Sequence, residues 1–146
     1  MSVDRSPRIA LVSCVKRKLS RAAAARDLYT SALFIGLRHY AERHSDRWFI
    51  LSAKHGLVEP SRIIEPYEQT LNKMTRHARE EWAQHVCSEL DSILPKRADV
   101  LLLAGQRYRE DIEKFLLKRG HTIAVPLRGL SLGRQLAWLK RANELA

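Results

Sequence analysis

The sequence predicts an α/β fold: a single domain, residues 1–146, built on a four-stranded, mainly parallel sheet with helices on both faces. Three observations predict it. Short apolar runs alternate with stretches of helical periodicity in the order β-α-β-α-β-α-β-α, which implies parallel strands joined by crossover helices. The apolar runs are continuous, as in strands covered on both faces. The chain has 146 residues, the size of one domain, and can bury roughly two thirds of its unfolded surface without a disulfide or metal staple.

The elements follow in order. Residues 9–15 (IALVSCV) read as the first strand. Asp27 stands where a helix cap belongs, and Tyr29, Leu33, Gly36, Leu37 and Tyr40 follow at helical spacing. Residues 48–53 (WFILSA) read as the second strand, and residues 54–74 as a long polar loop with two prolines. Thr75 caps the next helix and Glu80 supports its first turn. Trp82, Val86, Leu90 and Ile93 form one apolar stripe along it. Residues 98–104 (ADVLLLA) form the third strand, ended by Gly105. Residues 108–118 read as helix, with Gly120 at the C-cap, and residues 121–126 (HTIAVP) as the fourth strand. Residues 130–145 form a last amphipathic helix with Leu132, Leu136 and Leu139 on one side. No internal repeat or low-complexity segment interrupts this order.

Composition narrows the function classes. Lysine and arginine total 26 against 16 acids, a net charge of +10. Such a field attracts polyanions, nucleic acid above all. The basic residues are dispersed, so any basic face is assembled by the fold. No apolar run is long enough to span a membrane, and the polar start MSVDRSPR has no signal core, so a cytoplasmic protein is expected. The two cysteines, Cys14 and Cys87, have no partner spacing and fit reduced thiols. GxxxxGK[ST], GxGxxG, CxxC and HExxH are all absent, so no P-loop, dinucleotide cofactor or zinc site is supported, and neither a metal nor a cofactor is expected.

Ligands of doubly wound sheets bind beyond the carboxyl ends of the strands. The four exits read SCVKRK, SAKHGL, AGQRY and PLRGL, all polar, basic or glycine-bearing. Lys16, Arg17 and Lys18 crowd the first; they make either a solvated turn or a phosphate contact, or an amine nucleophile where burial lowers a lysine pKa. At the second, Lys54 and His55 follow Ser52, and Gly56 permits a positive φ or close approach of a ligand. His55 is either a structural group or an acid-base residue. The third and fourth exits bring Gly105, Arg107, Tyr108, Arg109 and Arg128. The following loop holds Glu59, Glu65, Tyr67 and Glu68; a glutamate there orients water or is inert. Tyr67 and Tyr108 either stack on a base or belong to the core.

Five stretches carry a resemblance: Ser13-Cys14 with Lys18-Leu19, ARDLYTSALF at 25–34, ILSAKHGL at 50–57, PYEQTL at 66–71 and PLRGLSLGRQLAWL at 126–139. Together the chain resembles the YaaA-like family of bacterial and phage proteins, over nearly its whole length. That family's usual pattern is close to SCSKxK, ARDLYTSxLF, ILSAKYGL and PYDxTL. His55 replaces a frequent tyrosine, and Glu68 a frequent aspartate. The resemblance implies DNA binding linked to oxidative stress. It also implies a distant similarity to the uracil-DNA-glycosylase type of fold and to an archaeosine synthase domain. Relatives that remove oxidised pyrimidines such as 5-hydroxymethylcytosine make a DNA N-glycosylase the leading expectation, with DNA as the partner and no obligate protein partner. The alternatives are a non-catalytic DNA-binding stress protein and an enzyme acting on a free nucleotide or nucleoside. Asp27, His55, Glu68, Lys18 and Lys54 are the catalytic candidates, the lysines through a Schiff base. Ser13, Tyr29, Ser31, Ser52, Gly56, Tyr67, Gly105 and Tyr108 are the substrate-binding candidates. Lys16, Arg17, Arg107, Arg109 and Arg128 are the contacts to the DNA backbone.

Overall fold

The computed structural model describes residues 6–13 and 18–144. Cys14, Lys16 and Arg17 lie outside the described residues.

All four expected strands are present and run parallel: β1 (Arg8–Val12), β3 (Arg47–Ser52), β6 (Asp99–Leu103) and β7 (Thr122–Ala124). The sheet has a fifth strand, β4 (Gly56–Val58), antiparallel to β3 at the edge, giving the order β4-β3-β1-β6-β7. The residues expected as a loop at 54–74 therefore hold structure. Leu57 and Val58 are apolar and pair back onto Leu51 and Ile50 across a tight turn. Further on, β5 (Ile63–Ile64) pairs with β2 (Ala23–Ala24) in a small separate ribbon, and residues Leu71–Lys73 form one 3-10 turn.

The first helical stretch is broken where the sequence suggested continuity. α1 (Ala25–Leu28) is a single turn, Tyr29 is extended, and α2 (Ala32–His44) starts afresh. Its cap is Ser31, whose Oγ accepts from Phe34 N–H at 3.2 Å, not Asp27. The break has a physical reason: it lets Tyr29 leave the helical face and turn its ring into the core, where it is 2% exposed. α3 (Arg76–Ile93) is capped by Thr75 as expected. α4 (Gln106–Lys118) ends at Gly120, whose φ of +88° suits glycine, and α5 (Leu132–Glu144) closes the chain.

Alternation along β1 sorts the core into two layers. Ile9 and Leu11 meet α3 and α4 through Trp82, Val86, Leu90, Ile112 and Leu116. Ala10 and Val12 meet α2 and α5 through Phe34, Leu37 and Leu139. α5 lies close on α2: a Cβ at Gly36 would stand 3.3 Å from Leu139. Of the three leucines expected to face inward on α5, Leu139 is buried, Leu136 half-buried and Leu132 exposed. Cys87 belongs to the α3 layer, where burial pushes its thiol up to about 12, so it is a packing residue.

This arrangement positions the site. β1 has β3 on one side and β6 on the other, and the helices that follow β1 and β6, α2 and α4, cover opposite faces. A crevice opens at the carboxyl ends of β1 and β6, where such sheets bind their ligands.

Gly56 is required by the turn into β4. Its φ is +73°, and an added Cβ would stand 2.6 Å from Glu89 Oε1. Gly56→Ala is expected to cost about 1–3 kcal/mol of stability, read as a lower urea midpoint at unchanged slope.

Candidate functional site at the strand ends

The end of β3 gathers five of the expected residues. Ser52, the last residue of the strand, is fully buried. Its Oγ accepts from the His55 backbone N–H at 3.0 Å and donates to the Tyr67 hydroxyl at 2.9 Å. The Tyr67 hydroxyl lies 2.5 Å from that of Tyr29. From the opposite face of the sheet, Trp82 Nε1 donates to the Ser52 carbonyl at 2.8 Å. The strand end is thus held by α3 below and by two tyrosines above, and its polar atoms are satisfied, as burial demands.

Two cationic or titratable groups lie against this hydroxyl chain. Lys18 Nζ sits 4.5 Å from the centroid of the Tyr67 ring and 5.8 Å from that of Tyr29. Cation–π attraction of this kind contributes about 0.5–2 kcal/mol. The His55 ring stands edge-on to Tyr67, with centroids 5.7 Å apart. Burial first, then the charges of Arg62 and Lys54, hold the His55 imidazole below its ordinary value. Its Nε2 is buried and has no hydrogen-bond partner among the described residues. Burial, then Tyr67, pushes the Tyr29 phenol far above its ordinary value. The cluster therefore contains a protonated phenol, a neutral imidazole and an amine resting on aromatic faces.

Other expected residues lie elsewhere. Asp27 is exposed and bound to Arg38 at 3.0 Å. Glu68 and Lys54 are exposed. Among the described residues no carboxylate is bonded to the cluster. Gly56 is buried against His85 and Glu89 of α3 and acts in the turn. Tyr108 belongs to the α3 layer, where its hydroxyl meets Leu71 N at 3.3 Å and its ring packs edge-on to Trp82.

The crevice at the carboxyl ends of β1 and β6, which none of the five cluster residues lines, has a volume of about 900 Å³, within the range of roughly 300–1,000 Å³ typical of small-ligand sites. Ser13, Ser31, Gly105, Tyr108, Arg107, Arg109 and Arg128, all expected on sequence grounds, line it. Arg109 is buried, and with Arg128 it pairs to Glu113, at 3.1 and 2.6 Å. Both are therefore wall residues with a partner, and Arg107 is the exposed one of the three without an ion pair among the described residues. Arg76 and Arg79 also line the crevice and were missed. A signal existed: they sit one turn apart at the start of α3, the helix end where cations are unfavourable.

Fold and site together define a doubly wound α/β protein with a buried polar cluster and a basic crevice at the carboxyl ends of its strands. Residues 9–141 match the family described as "Family of unknown function (DUF6884)", and the chain belongs to that family. It is also similar to an uncharacterized protein of Bacillus subtilis (strain 168), YfjM. The two are 26% identical over 151 residues, which cover 94% of this chain and 95% of that protein.

The lowered His55 pKa has a consequence for stability. The unfolded chain binds a proton at His55 near pH 6.5, while the folded chain resists it, so stability gained from the neutral ring is complete above that pH and is lost as pH falls toward the folded value. His55→Asn is expected to flatten the loss of stability below pH 6.5, measured by urea unfolding of both proteins at neutral and mildly acid pH.

Proposed function

We propose that the protein is a DNA N-glycosylase that excises a modified or damaged base, with 5-hydroxymethylcytosine or a related oxidised pyrimidine as the best match. The observation that carries this reading is the cluster itself. A protein that only grips a DNA backbone needs exposed cations; it does not need Ser52, Tyr67, Tyr29, His55 and Lys18 gathered on a strand end, three of them buried. The basic charge of +10 and the resemblance to base-excising relatives support the same reading. A base flipped out of the duplex would be read by polar and aromatic groups such as these.

The chemistry follows from the groups present. The bond between C1′ and the base nitrogen breaks with its electron pair going to the base, and Lys18, as ammonium, supplies the proton that the base takes. Water adds to the C1′ cation, and the neutral His55 imidazole accepts the proton that the water releases. The products are the free base and an abasic sugar. Attack by the deprotonated Lys18 amine would instead give a Schiff base and a lyase. Asp27, bound to Arg38, and the exposed Glu68 have no part in this scheme. The absence of any membrane-length apolar helix among the described residues fits a DNA enzyme of the cytoplasm. A second reading, an enzyme on a free nucleotide, is favoured by the volume of the crevice, about 900 Å³, which suits a small ligand.

The test is a cleavage assay on labelled duplexes carrying 5-hydroxymethylcytosine, 5-hydroxymethyluracil, uracil or 8-oxoguanine. Alkali-dependent scission of one duplex is the expected result, and scission without alkali would add the lyase. Intact strands with firm binding would overturn the enzyme in favour of a DNA-binding protein. Turnover of a mononucleotide alone would favour the second reading.

A further inference from the structure

We propose that the crevice between the starts of α2 and α4 is a phosphate site, with Arg107 as its principal contact. The nucleotide assigned to it rests on the function proposed above; the phosphate rests on the crevice alone.

Charge is the first argument. Among the described residues five arginines line the crevice, and three carboxylates, Glu80, Glu110 and Glu113, pair with four of them, leaving two positive charges in excess. A phosphate monoester carries about −1.5 to −2 at neutral pH, which matches. Glu113 is shared by Arg109 and Arg128, and its side chain is only 15% exposed, so the imbalance sits in a partly desolvated wall where fields are strong.

Local structure is the second. Arg107 is in the first turn of α4, which has no acid there and whose N-cap, Gly105, offers no side-chain bond. A cation and open N–H groups at the same helix end are mutually unfavourable until an anion lies between them. Local preferences that fail like this occur where a ligand completes the structure.

Burial is the third and is independent of the helix. Arg109 is more than nine-tenths buried on the crevice wall, with Glu113 Oε2 3.1 Å from its Nε. Its guanidinium charge is therefore held in a partly desolvated wall, where its attraction for an anion is strong.

Titration calorimetry at low salt tests this with four probes: inorganic phosphate, 5′-dTMP, thymidine and the phosphodiester dinucleotide of thymidine. Phosphate and 5′-dTMP are expected to bind and thymidine is not. Arg107→Gln should weaken binding on the order of tenfold or more, the worth of a charged hydrogen bond. Arg141→Gln, which removes an exposed charge at the far end of α5, should change it less than about twofold. Preference for 5′-dTMP over the dinucleotide would assign the site to a free or terminal phosphate; the reverse would assign it to the DNA backbone. Equal weakening by both variants, or no binding of any phosphate probe, overturns the site. Phosphate binding without base release from any duplex leaves the site standing and removes the glycosylase. Base release without phosphate binding does the opposite.

Discussion

Ser52 is gripped from both faces of the sheet, and much of the structure depends on that grip. Trp82 on α3 holds its carbonyl and Tyr67 holds its hydroxyl. Between them, the two bonds tie β3 to both core layers at its carboxyl end. The turn that follows is fixed by the His55 N–H on the same Oγ, and this places the imidazole beside Tyr67. Tyr67 can reach Ser52 only because the chain after β4 folds back over the sheet, pinned by the β2–β5 ribbon. A buried network of this kind is expensive to leave half-made. Among the described residues one imidazole nitrogen, Nε2 of His55, is left without a partner.

Electrostatics divides the strand ends into two parts. At β3 the buried groups are hydroxyls and an imidazole held below its ordinary value, with Lys18 against the tyrosine rings. At β1 and β6 the walls are arginine-rich and only partly compensated. The proposed function would use both kinds of surface, uncharged groups for the part that reacts and cations for the phosphate. Ser13 lines the crevice and Lys18 rests on the cluster.

Much of this was legible in the sequence. The four parallel strands were visible because buried strands are continuous apolar runs, and the rim was visible because strand exits in this architecture hold the ligand. Ser52, His55, Tyr67, Tyr29 and Lys18 were all selected from it. The helix break at Tyr29 was not legible, because helical spacing of the apolar residues continues through it and only the tertiary bond to Tyr67 reveals where that ring goes. β4 was missed because three residues are too few to show a period. Asp27 looked like a cap and a catalytic acid because pattern alone does not reveal a partner such as Arg38, on the next helix. The pairing of Arg109 and Arg128 to one glutamate was equally hidden, since Glu113 lies one turn from the first but far along the chain from the second.

The most direct test of the central claim, that the cluster at the end of β3 is a working site and not only a structural one, is to compare Lys18→Met with the wild-type protein on a duplex that the wild type cleaves. Single-turnover base release and duplex affinity would be measured together. The account predicts a rate lower by at least about 100-fold, roughly 2.7 kcal/mol of barrier, with affinity for the duplex within a few-fold and a loss of stability no larger than the cation–π contact, about 0.5–2 kcal/mol. A rate that survives the substitution would contradict it.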